Sequence, residues 1–199
     1  MNVKKFACLS TVPGVVLTYK GEVLPLLAST RSLGVTISAI GKDTFVELDK
    51  RVDTAIPVLA RIGTLHGFPD IVEALINRMV IPAALFGSQL GDIHAAKLHK
   101  LTMAIVKATW GTKAAARARE TVFHTASSRR VTHPQLEVLQ LRIGWPHRYL
   151  NSTTVLGPLA RANFHLIQDL LRGDSPDPSW SPTARAYRAL LSVGGDVAR

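Results

Sequence analysis

From residue 45 onward, apolar side chains recur at helical spacing. Phe45, Leu48, Val52, Ile56, Leu59 and Ile62 fall on one stripe and predict an amphipathic helix. Thr44 and Glu47 have capping-box spacing ahead of it, and Asp43 puts negative charge at the favourable end of the dipole. Gly67 and Phe68-Pro69 end the pattern, while Pro57 predicts a kink or break within it. A second helix is expected from Pro69 to about Ile81, with Ile71, Val72, Leu75, Ile76 and Met79 buried. The run Val80–Leu90 is apolar around much of its circumference, broken by Pro82 and closed after Gly87. It predicts a buried junction where one helix hands over to the next. A third helix should begin near Asp92 as N-cap, carry Ile93, Leu98, Leu101, Ile105 and Trp110, and stop at Gly111.

Ahead of residue 43 the pattern is different. Phe6–Leu9 reads as a strand, and Val15–Tyr19 and Val23–Leu27 read as a hairpin turning at Lys20-Gly21-Glu22. Pro25 confines the second arm to a sheet edge or bulge, and Leu33–Ile37 is a further strand candidate. Beyond Gly111, helices are predicted at Lys113–His124, Pro134–Ile143, Leu156–Arg172 and Pro182–Leu191. Thr132 and Gln135 supply capping spacing there, Gly173 a stop, and Asp174–Ser179 a Pro-rich linker. The expected fold is mainly α: a small N-terminal antiparallel hairpin or sheet, a multi-helix bundle and an Arg-rich helical tail. The expected divisions are 1–42, 43–111, 112–173 and 174–199.

Charge adds a partner to this picture. The 199 residues carry a net charge of +10, which points to a polyanion. Basic side chains outnumber acidic ones twelve to eight before Gly111 and twelve to six after it. The type changes at the same place, from eight lysines and four arginines to one lysine and eleven arginines. Lys97, Lys100 and Lys107 lie on or beside the solvated face of the third helix. Arg117, Arg119, Arg129 and Arg130, beside Ser127 and Ser128, form the densest basic stretch and are candidate phosphate contacts.

Motifs for chemistry are missing. Cys8 is the only cysteine, so no disulfide framework is predicted. The seven histidines are scattered; His94 and His99, five apart, do not share a helix face. There is no P-loop, dinucleotide fingerprint, nucleophile elbow or adjacent aspartate pair. No apolar run approaches a membrane span and no secretion signal is read, so an intracellular protein, nuclear or cytoplasmic, is expected.

Three stretches in order resemble the distal part of a non-LTR retrotransposon reverse transcriptase. Asn2-Val3-Lys4-Lys5 is similar to the Asn-x-x-Lys that ends the palm's fourth motif. Arg31–Ile37, with Leu33-Gly34 at its centre, is similar to the primer-grip strand, although Ser32 stands where tyrosine is usual. Pro82–Leu90 resembles the Pro-x-Leu-x-Tyr-Gly-x-x-x-Trp signature of the thumb, with Phe86 for tyrosine and Leu90 for tryptophan. The likeness covers about residues 1–111.

The resemblance implies a partial palm and primer grip followed by a thumb-like bundle. It places Lys5 near nucleotide phosphates and Leu33 and Gly34 at the primer end. It also implies that the helices grip an RNA–DNA or DNA duplex. The metal-binding aspartate motifs would precede Met1, so no cofactor is expected on this chain, and Mg2+ only in the complete polymerase. The expected partners are nucleic acid and the remaining polymerase portion, with no membrane. The competing reading is a stand-alone basic helical protein that binds nucleic acid or another protein.

Overall fold

The computed structural model describes residues 8–9, 16–19, 21–27, 29–32, 35–38, 46–65, 68–111, 123, 131–172 and 182–194. The chain is mainly helical, with a few short strands at its N-terminal end. Those strands are β1 (Cys8–Leu9), β2 (Thr18–Tyr19), β3 (Glu22–Val23), β4 (Leu26–Leu27), β5 (Ser29–Ser32) and β6 (Val35–Ser38). Among the described residues they form three separate pairs and no larger sheet. β2 and β3 make the expected hairpin, with Tyr19 opposite Glu22. β5 and β6 are a second antiparallel hairpin, with Ser32 opposite Val35.

The third pair departs from the expectation of an antiparallel sheet: β4 runs parallel to β1, Cys8 opposite Leu26. Pro25 accounts for the change. It has no N–H to give to a ladder, so the arm expected at Val23–Leu27 divides into β3 and β4, each with its own partner. β5 begins at Ser29-Thr30, polar residues ahead of the stretch that resembles the primer-grip strand, where no strand was expected.

The helices are α1 (Val46–Ile62), α2 (69–85), α3 (Ala95–Trp110), α4 (Pro134–Leu150), α5 (Leu156–Arg172) and α6 (Pro182–Ser192). α1 buries Leu48, Val52, Ala55, Leu59 and Ile62 and runs unbroken through Pro57, which lies on its exposed side. α2 is continuous but not uniform. Pro69–Leu75 is α-helical, Ile76–Val80 is a π turn, and Ile81–Leu85 is α-helical again. Within the π turn the Ile81 N–H reaches back five residues to the Ile76 carbonyl. That wide turn accommodates Pro82 one residue later, because the proline ring would otherwise press on the carbonyl four residues back. The junction is therefore one helix with a wide turn rather than a handover between two.

It is also only half buried. Val80, Ile81, Ala84 and Leu85 face the core, whereas Met79, Pro82, Ala83 and Phe86 face outward. Ile71 is exposed as well, so the apolar buried face of α2 is Val72, Ile76, Val80, Ile81, Ala84 and Leu85, with Leu75 half-buried. The extra residue in the π turn rotates the helix, which is why Met79 leaves the stripe the sequence pattern gave it.

One apolar core joins α1, α2 and α3, with Leu59, Ile76, Leu85, Leu101 and Ile105 fully enclosed. Phe123, Val131 and Val138 close it from the tail side. A second cluster, Phe164, Ile167, Ala184, Ala186 and Tyr187, unites α5 and α6 with Trp145 and Leu150 of α4. α4 continues seven residues past the expected end at Ile143, through a fully buried Pro146. Its N-cap is His133, whose Nδ1 accepts the Gln135 N–H, in place of the expected Thr132. The expected helix at 113–124, the linker at 174–179 and the capping residues 43–44 lie outside the described residues, Phe123 apart.

Candidate nucleic-acid interface

The basic surface of the helical body rests on how α1 holds α3. Asp49 accepts the His94 backbone N–H at 3.2 Å and meets its Nδ1 at 2.5 Å. One turn later Asp53 receives the Lys97 ammonium at 2.6 and 2.5 Å. Further along, Gly63, just past the end of α1, lies close against Ala108, where a Cβ would stand 3.1 Å from the Ala108 Cα. These contacts advance together in sequence, so α1 and α3 run in the same direction. Gly111 ends α3 at φ +76°, a conformation that suits glycine.

Between the two helices lies an open groove of about 640 Å³. Ile56, Leu59, Ala60, Met103, Ala104 and Ala108 line its floor and sides, and Lys100 and Lys107 stand at its edge. Both lysines are exposed. They are seven residues apart, which is about 10.5 Å along one face of α3. No Asp or Glu lines the groove. Of the three lysines that the sequence marks on this helix, Lys100 and Lys107 therefore present charge outward, while Lys97 is half-buried and held by Asp53.

On the far side of α1, the Arg51 guanidinium lies 5.0 Å from the Phe86 ring centroid and donates to the Phe86 carbonyl at 2.5 Å. Phe86 is 48% exposed, so it covers an arginine at the surface rather than filling the core. A purely apolar ring serves there because guanidinium stacking uses the ring face and needs no hydroxyl.

Asp92 has the largest change of role. α3 begins at Ala95 with His94 at its N-cap, and Asp92 does not cap it. Its carboxylate instead receives two arginines from the tail. Arg142 of α4 donates from Nη2 to Oδ1 at 2.7 Å. Arg185 of α6 sets Nε and Nη2 each 2.8 Å from Oδ2. The same guanidinium groups hold the backbone of the turn. Arg142 donates to the Ser88 and Gly91 carbonyls, each at 3.2 Å, and Arg185 Nη1 to the Leu90 carbonyl at 2.8 Å. The Arg185 side chain is only 6% exposed. Burial pulls its guanidinium below its ordinary value, Asp92 opposes that and neighbouring Arg142 adds to it; the group remains a cation at any ordinary pH.

Sequence reasoning missed this cluster. Asp92 looks like a helix cap, and its partners lie 50 and 93 residues away.

Lys5, Leu33, Gly34, Arg117, Arg119, Arg129 and Arg130 lie outside the described residues. β5 and β6 flank positions 33 and 34. Among the described residues no three His, Cys, Asp or Glu side chains converge as a metal site would require. No helix among them is long and apolar enough to cross a membrane. Comparison with protein-family models, with curated proteins and with solved structures finds no match to this chain.

Proposed function

We propose that this chain is the primer-grip and thumb portion of a non-LTR retrotransposon reverse transcriptase, and that it binds a template–primer duplex through charge and shape. One observation carries the reading: the order of the elements that bear the resembling motifs. A strand pair flanks Leu33-Gly34, two amphipathic helices follow, and the second ends in the Pro82–Leu90 stretch. Lys100 and Lys107 are the phosphate contacts among the described residues, with Lys5, Arg117, Arg119, Arg129 and Arg130 extending that role on sequence grounds. Leu33 and Gly34 meet the primer end, and Lys97 helps fix α3 while adding to the local field.

On its own this chain binds but does not polymerise, since it carries no adjacent aspartates to hold two metals. The experiment is a titration of a fluorescein-labelled RNA–DNA duplex at increasing salt. Affinity should fall with a log–log slope of about 0.9 for each phosphate neutralised. A flat dependence would remove nucleic acid as the partner. Primer extension with the isolated chain should yield no product, and measurable extension would overturn the account. An in-frame Tyr-x-Asp-Asp encoded shortly before Met1 is the matching expectation for the gene.

A further inference from the structure

We infer that the groove between α1 and α3 is a docking site for an acidic amphipathic helix of a partner protein. The groove has two features that a phosphate backbone alone does not require. Its floor, from Ile56, Ala104 and Ala108, is aliphatic and packs directly against the core below. Its charge is confined to one edge, where Lys100 and Lys107 stand two helical turns apart with no carboxylate among the lining residues.

The groove lining holds no Phe, Tyr or Trp and His99 is its one ring, so a run of bases would find a single stacking partner where single strands use several. A duplex would lay its phosphates along the lysines and leave the floor uncovered. An incoming helix uses both features. Its apolar residues at i, i+3, i+4 and i+7 fill the floor, and two carboxylates seven residues apart face Lys100 and Lys107. A second copy of this chain is a poor occupant, because two bodies of net charge +10 repel. Such a helix would cover the two lysines assigned to phosphate, so it would also compete with nucleic acid. That consequence alone rests on the duplex-binding reading.

The test uses the full chain and a fluorescent amphipathic peptide of about 16 residues, with leucines on one face and glutamates two turns apart beside it. A second peptide keeps the glutamates and replaces the leucines with serine. The leucine peptide should bind with micromolar affinity and the serine peptide at least about tenfold more weakly. Lys100→Glu with Lys107→Glu should weaken the leucine peptide about tenfold or more. Ala60→Trp, at an exposed position that narrows the groove without disturbing the core, should also weaken it while leaving the melting temperature unchanged.

Equal binding of the two peptides would mean charge attraction alone and would overturn the inference. So would failure of the leucine peptide to bind, or its indifference to Ala60→Trp. A competing duplex should displace the leucine peptide. If the peptide binds and no duplex does, the nucleic-acid reading fails while the helix site stands.

Discussion

The α1–α3 body and the α4–α6 tail both carry excess positive charge, but they use it in opposite directions. In the body, the lysines at the groove edge point outward into water. In the tail, Arg142 and Arg185 turn inward and close on Asp92. The physical difference between the two side chains explains the division. A lysine ammonium is a compact, strongly hydrated charge, best left at the surface. A guanidinium is a flat fork, less tightly hydrated, that can satisfy a carboxylate and several carbonyls at once. Arg185 does so with one carboxylate and one carbonyl, and Arg142 with one carboxylate and two. The change from lysine to arginine at Gly111 is thus partly a change from surface charge to internal fastening. Net charge alone overstates what the tail offers to a polyanion.

Five variants would break or sharpen this contrast. Leu59→Ala should cost most, about 3–4 kcal/mol in urea unfolding, because the side chain is fully enclosed in the body's core. A value below about 1 kcal/mol would mean that α1 and α3 are not packed as described. Asp92→Asn comes next, at about 3 kcal/mol, because it removes the charge that compensates a buried guanidinium. Limited proteolysis of that variant should cut the α4–α6 region before the body. The triple change Arg142→Leu, Asp92→Leu, Arg185→Met should cost less than Asp92→Asn alone, because it leaves no charge stranded. If the triple is the worse of the two, the cluster is a net source of stability rather than a fastening that is costly only when half removed.

Lys100→Glu with Lys107→Glu should leave urea stability within about 0.5 kcal/mol. It should also flatten the salt dependence of duplex binding by about two phosphates, a change of roughly 1.8 in slope. An unchanged slope would move the nucleic-acid surface elsewhere. Smallest is Lys97→Ala, worth less than about 1 kcal/mol because half of Asp53 is already in water. A larger loss would show that α3 depends on that ion pair more than on its apolar face.

The helices were largely legible because their signal is local. The stripe from Leu48 to Ile62 has its own period, and the predicted span 156–172 is the span of α5. What escaped the sequence depends on distance or on backbone geometry that no periodicity encodes. Asp92 and Arg185 are 93 residues apart and meet through the packing of α6 against the rest of the fold. The β1–β4 pairing escaped because two-residue strands carry too little pattern to choose a partner. Pro57 was expected to kink or break its helix and the helix from Pro134 was expected to end at Ile143, yet buried neighbours keep α1 continuous through Pro57 and α4 through Pro146. Of the candidate interface, the outward lysines were readable from the sequence; the groove beside them was not, since its floor belongs to two helices separated by a third.

The π turn of α2 has a consequence for how this sequence can change over time. Deleting one residue between Ile76 and Val80 would restore ordinary helical winding, but Pro82 would then press on the turn before it. Replacing Pro82 alone would leave the wide turn in place with its loss of regular bonding. Each feature makes the other hard to lose, so a lineage holding both is expected to keep both. The pair Ile76–Val80 and Pro82 should therefore vary together among descendants of this sequence, or not at all.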